Sequence, residues 1–309
     1  MSTEQPERAA EISAGGSPVS KVADFFVTVA KLVQADVIKL ANYWVVIAGY
    51  AAMVGIAGLG SYLIYHAEQA IAIKSGSGYA FAISLVLRCV DFGAPILYVM
   101  ICILFALEIS NSTVKYILTR PVTRMELIIS KYVTAMLMIA LAIAIFWAIA
   151  LIAGGYSYGL GDLVENEYVI FSSYYMYKEM LIGTFLLLIP FAAIAAMALM
   201  VSTYSSTMGG SIIIGLIAWV FFQILGLIPA TLGINFTWNG EKHLFSWVTL
   251  GFPSQRYVPM YMLDDLPTGI QIQTWWTWDI QKMIFICGLF FIIFFTASVI
   301  GVKKRDFTL

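Results

Sequence analysis

Long apolar runs alternate with short polar segments along this chain, and the length of the runs predicts its class. A helix that crosses the hydrocarbon core of a bilayer needs about 20 consecutive, mostly apolar residues. Six runs come close to that length and are predicted to be transmembrane helices: Tyr43–Tyr65, about Cys89–Leu107, Tyr132–Ile152, Met180–Val201, Ser211–Leu227 and Met283–Ile300. The second and fifth are the weakest, because Arg88 and Asp91 crowd one end of the second and the fifth is short. The pattern predicts an all-α integral membrane protein.

The composition also indicates a membrane protein. Hydrophobic residues make up 61% of the 309 residues and charged residues only 11%, whereas about 25% of a soluble domain is charged. Residues 1–20 are polar and lack the apolar core of a signal peptide, so a disordered cytoplasmic tail is predicted there. Residues 21–309 are predicted to form one membrane domain with two long outer loops, residues 153–179 and 228–282.

The distribution of basic residues predicts the orientation. With six spans, both termini lie on the same side as residues 108–131 and 202–210. That side carries 11 of the 17 Lys and Arg residues, and the outer segments carry the other 6. Because basic residues accumulate on the cytoplasmic side of membrane proteins, both termini are predicted to be cytoplasmic.

The segment before the first span has a helical pattern of its own. In "VADFFVTVAKLVQADVIKLANYW" one helical face carries Phe26, Val29, Val33, Val37 and Leu40, while other faces carry Lys31, Asp36 and Lys39. This pattern predicts an amphipathic helix in the cytoplasmic interface, with its lysines at the lipid headgroups. A helix packed on another cytoplasmic element is the alternative.

The predicted spans lack the groups that drive several classes of transporter and enzyme. Their centres hold no formal charge, whereas ion-coupled transporters usually carry ionisable side chains there. Gln223 is the most polar side chain within the spans. It is predicted to form an interhelical hydrogen bond, and a substrate contact is the alternative. No catalytic constellation, metal site or G-x-x-x-x-G-K-[ST] phosphate loop is found. The chain is therefore not expected to be an enzyme, and any energy for transport would come from another chain.

The loop between the second and third spans carries the strongest local signals. In "LEISNSTVKYILTRPVTRMELIISKYV", residues 107–133, "SNST" offers N-caps for a helix at about residues 111–119. Pro121 ends that helix, and "TRME" predicts a capping box between Thr123 and Glu126 at the start of the third span. Lys131 is predicted to mark the level of the headgroups.

A helix of about eight residues is too short to be stable alone in water, so it needs a surface to lie on. Its apolar stripe consists of Val114, Ile117 and Leu118. One interpretation places that stripe on the membrane, while Lys115, Arg120 and Arg124 bind anionic lipid. The other interpretation is a docking helix in the groove of a cytoplasmic protein.

Three segments resemble the permease subunits of type-2 ATP-binding-cassette (ABC) transporters, a class dominated by exporters. These segments are "EISNSTVKYILTRPVTRMELIISKY", "LVQADVIKL" before the first span, and the terminal "KKRDF". The family pattern is an acidic residue ending span two, a Gly-Thr or similar pair, an apolar turn, an Arg/Ser-Pro pair and a basic residue before span three. It is matched by Glu108, Thr113, Ile117, Leu118, Arg120, Pro121, Arg124 and Lys131, with Ser112 where glycine is usual.

The resemblance implies a type-2 ABC permease fold, in which residues 111–119 are a coupling helix that docks on a separate ATPase subunit. The implied contact residues are Glu108, Asn111, Thr113, Val114, Lys115, Ile117, Leu118, Arg120 and Arg124. A second contact, in "STYSSTMGG", would involve Tyr204, Ser205 and Thr207. This chain would hold no cofactor, because ATP and Mg would be bound by the ATPase. Two ATPase copies and a second permease chain, as a homodimer, would complete the complex.

Small residues predict where helices approach closely. One stripe on span one is formed by Ala48, Ala51, Gly55 and Gly58, and one on span five by Ser211, Gly215 and Ala218. The resemblance favours span five, which also carries Gln223, for a dimer contact or substrate pathway; packing within one chain is the alternative.

The expected function is ATP-driven export or flipping of a substrate across the cytoplasmic membrane of a prokaryote. The alternative is a membrane subunit that transmits ATPase motion to an extracytoplasmic protein through the long outer loops. The lipid bilayer is the expected surrounding, and no nucleic-acid partner is expected.

Overall fold

The computed structural model describes residues 18–71, 76–110, 122–165, 168–232, 235–238, 241–244 and 278–305. These residues form seven helices and four short strands. The helices are α1 (Pro18–Ala41), α2 (Trp44–Ile71), α3 (Gly78–Ser110), α4 (Arg124–Tyr158), α5 (Ser173–Tyr204), α6 (Met208–Leu232) and α7 (Trp278–Lys304). The strands are β1 (Leu163–Glu165), β2 (Tyr168–Phe171), β3 (Asn235–Trp238) and β4 (Glu241–Leu244), which pair as two antiparallel hairpins, β1 with β2 and β3 with β4.

Several helices have the length and composition of membrane spans. Within the described ranges, α2, α3, α4, α5 and α7 are long and apolar enough to cross a bilayer. The predicted fifth span falls in α6, whose qualifying apolar stretch is the shorter Met208–Phe222. The prediction of a multi-pass helical membrane protein is confirmed.

The helices are longer than the hydropathy pattern predicted. α3 begins at Gly78, well before Cys89, and α4 runs from Arg124 to Tyr158. The predicted outer loop at 153–179 is therefore wrong in its bounds, because its two ends belong to α4 and α5 and the β1–β2 hairpin lies between them. Residues 228–232 likewise belong to α6 and residues 278–282 to α7, while residues 245–277 lie outside the described part. Hydropathy marks where the bilayer ends, whereas a helix continues wherever neighbouring segments pack on it.

The start of α3 shows how such packing extends a helix. The amide of Gly78 donates to the carbonyl of Gly159 at 2.9 Å, and the Ser77 hydroxyl donates to the carbonyl of Gly161 at 2.9 Å. A Cβ at Gly78 would lie 2.6 Å from the carbonyl oxygen of Gly154, so the close approach of α3 and α4 requires glycine here.

The core of the bundle surrounds α3, which packs against α2, α4, α5 and α6. Its side chains are the most deeply buried of the spans, and Phe81, Leu85, Leu97, Tyr98 and Ile101 are almost inaccessible. α5 packs extensively against α7 on the other side of the bundle. Because α3 packs against four other helices, a displacement of α3 would change the packing of most of the described bundle.

The amphipathic face predicted for α1 divides into two. Val29 and Leu40 are buried, and α1 packs along α4, whereas Phe26 and Val37 are exposed. The prediction of a single membrane-facing stripe is therefore wrong, since part of that stripe contacts protein. Asp36, predicted to point elsewhere, is buried as well.

Candidate functional site

Charged side chains from three helices meet at the end of the bundle where α3 ends and α4 begins. The Lys131 ammonium of α4 lies 2.6 Å from Asp36 Oδ1 of α1 and 2.7 Å from Glu108 Oε1 of α3. The Lys39 ammonium of α1 lies 2.9 Å from the same Glu108 oxygen. We call these four residues the charged ring, because Asp36 and Lys39 stand three residues apart on α1 and so close the chain of contacts.

Most of the charged ring is removed from solvent. The side chains of Lys131 and Glu108 are 3% and 2% exposed, and that of Lys39 is 38% exposed. Two cations and two carboxylates balance one another, which a buried cluster requires because an unpaired buried charge is very costly. Burial raises the pKa of Asp36 above its ordinary value of 3.8, and the neighbouring Lys131 ammonium opposes that shift.

The charged ring joins the two ends of the loop that carries the predicted coupling helix. Glu108 lies near the end of α3, and Lys131 lies two turns inside α4. Lys131 was predicted to mark the level of the headgroups and Lys39 to reach them; in the structure Lys131 is buried in the ring and Lys39 is paired with Glu108. The sequence did not indicate these pairs, because each lysine has an acidic partner distant in sequence.

The first turn of α4 is fixed by its own sequence. The amide of Glu126 donates to the Thr123 hydroxyl oxygen at 3.2 Å, and the amide of Thr123 donates to the Glu126 carboxylate at 2.6 Å. The predicted capping box is therefore confirmed. It satisfies two backbone amides that a helix start leaves without partners, so α4 starts at a defined residue after the loop.

Two arginines connect the ends of three helices. Arg124, at the start of α4, donates to the carbonyls of Val302, Lys303 and Arg305 at the end of α7, at 3.0, 2.6 and 3.4 Å. Arg305 in turn donates to the carbonyls of Thr203 and Ser205 at the end of α5, at 2.7 and 2.8 Å. The last carbonyls of a helix lack intrahelical partners and carry a partial negative charge, so guanidinium groups are well suited to bind there. We call these contacts the arginine clamp.

Two serines tie the connection between α5 and α6 to the central helix. The amide of Ala106 in α3 donates to the Ser202 hydroxyl of α5 at 2.8 Å. Four residues earlier, the carbonyl of Cys102 accepts from the Ser211 hydroxyl of α6 at 2.7 Å. Ser202 and Ser211 flank the short connection 205–207, so both of its ends are bonded to α3.

An apolar cluster lies beside these polar contacts. Phe105 of α3, Leu127 and Ile128 of α4, and Val302 of α7 are all buried together. They bring the ends of α3, α4 and α7 together and exclude water from the helix ends. The charged ring, the arginine clamp and this cluster therefore belong to one packed end of the bundle.

The predicted contact residues of the coupling helix fall into two groups. Seven of them lie outside the described residues: Asn111, Thr113, Val114, Lys115, Ile117, Leu118 and Arg120. The flanking Glu108 and Arg124 are described, and both bind within the chain. A direct partner contact was predicted for Glu108; at 2% exposure its side chain instead holds the base of the loop.

The predicted second contact is partly accessible. Tyr204 and Thr207 are exposed, whereas Ser205 is buried and its hydroxyl donates to the carbonyl of Val201 at 2.8 Å. On α6, Ser211 and Gly215 face α3 of the same chain, and a Cβ at Gly215 would lie 2.8 Å from Cys102 Sγ. The alternative of packing within one chain thus accounts for both residues. Ala218 is half-buried, and the Gln223 side chain lies outside the described residues.

Five residues of this end were not singled out as site residues from the sequence: Asp36, Lys39, Lys131, Ser202 and Arg305. Their partners are distant in sequence or are backbone carbonyls. A usable signal was the presence of opposite charges at the same bilayer level, Glu108 and Lys131 on either side of one loop. Among the residues that the structure describes, no cluster of His, Cys, Asp or Glu could hold a metal ion.

Comparison with known proteins identifies the family of this chain. The chain matches the family described as ABC-2 family transporter protein over residues 32–221. The protein therefore belongs to this family, which indicates a membrane permease subunit of an ABC transporter. The matched range contains the whole charged ring and ends before α7.

One similar protein is the bacitracin transport permease protein BCRB of Bacillus licheniformis, which is 32% identical over 128 residues. The aligned region covers 41% of this chain and 58% of the length of that relative. No solved structure matches the chain.

Proposed function

We propose that this chain is the membrane-spanning subunit of an ABC exporter, driven by ATP hydrolysis in a separate ATPase subunit. Six helices, α2 to α7, cross the cytoplasmic membrane of a prokaryote, and residues 21–309 make up one permease domain. α1 lies in the interface on the side of both termini, which is the cytoplasmic side. The loop at 111–121 carries a coupling helix that docks on the ATPase.

The observation that carries the proposal is the way the base of this loop is held. The charged ring binds both flanks of the loop to α1, and the capping box fixes the first turn of α4. A loop that only rested on lipid would not need two flanks tied by buried ion pairs. A loop that receives force from a partner does, because force is transmitted only through a rigid attachment.

The transport step follows from the same geometry. When the ATPase subunits close on ATP, a docked coupling helix is displaced, and the charged ring passes that displacement to α1, α3 and α4 together. Because α3 packs against four other helices, its displacement would rearrange the bundle and change the side of the membrane to which the pathway opens. ATP and Mg belong to the ATPase, and this chain contributes no catalytic residue.

The complex is proposed to contain two permease chains and two ATPase chains. Large apolar side chains on α6, among them Ile213, Ile217 and Phe221, are exposed in the single chain, and such a face suits a second permease chain or lipid. The name of the relative from Bacillus licheniformis refers to bacitracin transport, which supports movement of a substrate over transmission of motion to an outer protein.

Co-purification tests the proposal. The tagged chain is extracted from native membranes into detergent without anionic lipid, and the retained proteins are tested for ATP hydrolysis and identified by mass spectrometry. The paired change Ile117→Ser and Leu118→Ser should release the ATPase, because each buried aliphatic side chain contributes about 1.5–3 kcal/mol. Lys115→Gln should retain it, because exposed ion pairs contribute about 0–1 kcal/mol. Full retention of the ATPase by the double variant would contradict the proposal.

A further inference from the structure

The end of α7 lies between the start of α4 and the connection 205–207. On one side Arg124, three residues after the loop 111–121, binds the last carbonyls of α7. On the other side Arg305, directly after α7, binds the carbonyls of Thr203 and Ser205, next to the connection 205–207. The start of α4 and the connection 205–207 are therefore joined indirectly, through the terminal turn of α7.

The packing around this turn leaves little freedom for independent movement. A Cβ at Gly301 would lie 3.1 Å from the Thr203 hydroxyl and from the ring of Tyr204, so α7 and α5 are in close contact here. The Tyr204 hydroxyl donates to the carbonyl of Ala297 at 3.2 Å, one turn earlier in α7. Val302 is fully buried in the apolar cluster.

We propose that Arg124 and Arg305 are positioning residues that lock the start of α4 and the connection 205–207 into one unit, with the end of α7 as the link between them. The proposal rests on the proposed function, because it assigns a role in ATPase coupling. It extends that function to α7, which lies beyond the part of the chain that matches the family. Both segments then move together when the ATPase closes, and the serines at 202 and 211 pass the motion to α3.

Arginine is suited to this role for a geometric reason. Its planar guanidinium presents five N–H donors in a fixed fork, so one side chain can bind several carbonyls at once. Lys304 is the last residue of α7 and is exposed. It carries the same charge as an arginine at the same end of α7, so it is a control for charge alone.

If the contacts of Arg124 and Arg305 act one after the other through α7, two results are expected. Neither is expected if each arginine stabilises only the residues that it binds. First, a change at Arg124, whose described contacts go to the end of α7, must loosen the connection 205–207. Second, the effects of changing Arg124 and Arg305 must not add, because breaking either contact interrupts the same link.

Amide hydrogen exchange of the purified permease in detergent tests the first prediction without an ATPase. The amides of Ser205 and Ser211 donate to the carbonyls of Val201 and Thr207, so their exchange reports opening of the connection. Arg305→Gln should accelerate exchange there about tenfold, since charge-assisted hydrogen bonds are lost. Arg124→Gln should accelerate it at the same amides, by roughly threefold, and Arg305→Lys should give an intermediate rate. Lys304→Gln should leave it unchanged.

ATP hydrolysis by the co-purified complex tests the second prediction. The double variant Arg124→Gln and Arg305→Gln should be as active as the less active of the two single variants. All three variants should retain the ATPase. Unchanged exchange at Ser205 and Ser211 in Arg124→Gln, or additive losses of activity, would overturn the link. Absence of an ATPase from the wild-type preparation would instead overturn the proposed function, and the exchange result would still decide whether the link exists.

Discussion

The Lys131 ammonium lies 2.7 Å from Glu108 Oε1, and both side chains are almost completely buried. These residues flank the loop 111–121, one near the end of α3 and the other in the second turn of α4. The pair therefore fixes the distance between the two ends of the loop, and the contacts with Asp36 and Lys39 extend this restraint to α1.

The charge balance of the ring predicts that a second substitution can recover stability that a first one removes. Lys131→Met should lower the free energy of unfolding by about 3–5 kcal/mol, because it leaves a buried carboxylate unpaired. Adding Asp36→Asn should recover part of that loss, since Glu108 remains paired with Lys39 and the cluster is again neutral. Thermal unfolding in detergent measures both changes, with the exposed Lys31→Met as the control. A double variant as unstable as Lys131→Met alone would contradict this account of the ring.

The pKa of Asp36 gives the ring a pH dependence whose sign can be stated. Burial raises the pKa of Asp36 above 3.8, so the folded protein holds the proton more tightly than the unfolded chain. The stability from this titration is complete below pH 3.8, and it is lost as the pH rises through the raised pKa. Asp36→Asn removes the titration, so wild-type stability relative to this variant should fall as the pH rises above 3.8 and through the raised pKa. Parallel unfolding curves across that range would contradict the shift.

Local signals in the sequence predicted local structure well. Thr123 and Glu126 form the predicted capping box because both partners lie within one turn. The apolar runs identified the five described helices that are long enough to span a bilayer, because the bilayer imposes a minimum length. The ends of α3 and α4 were missed because contacts such as that between Gly78 and Gly159 join residues far apart in the chain.

The site was less predictable than the fold for the same reason. Asp36 and Lys131 are 95 residues apart, and no local pattern pairs them. Arg124 and Arg305 bind backbone carbonyls, which every residue carries, so no sequence motif can indicate their partners. The sequence predicted which loop carries the coupling helix, and only the fold shows how the residues on either side of it are held.

The contact between α6 and α3 predicts a paired result at Gly215. An alanine Cβ there would lie 2.8 Å from Cys102 Sγ, so Gly215→Ala should destabilise the protein by about 1–3 kcal/mol through overpacking. Cys102→Ala in the same chain should relieve most of that cost by removing the sulfur. Gly288→Ala is the control, because nothing lies within 4 Å of its added Cβ. Thermal unfolding with no relief in the Gly215→Ala and Cys102→Ala pair would show that α6 does not approach α3 at this point.

The orientation of the bundle can be tested with single cysteines at its two ends. Ser206 is exposed beside the arginine clamp, and Gly161 is exposed beyond the opposite end of α4. In a background without Cys89, Cys102 and Cys287, an impermeant thiol reagent added to intact cells should label Gly161→Cys and spare Ser206→Cys. The reverse labelling would place both termini outside the cytoplasm and contradict the proposed topology.

The central claim is that the loop 111–121 touches an ATPase, and site-specific photocrosslinking measures that contact directly. A photoreactive amino acid is placed at Ile117 in the full chain in native membranes, with the matched position Tyr156, which is 94% exposed at the other end of α4, as the control. Irradiation should join an ATP-binding subunit to the chain through position 117 and not through position 156. Crosslinks from position 117 to lipid alone, with no ATP-binding protein, would contradict the account.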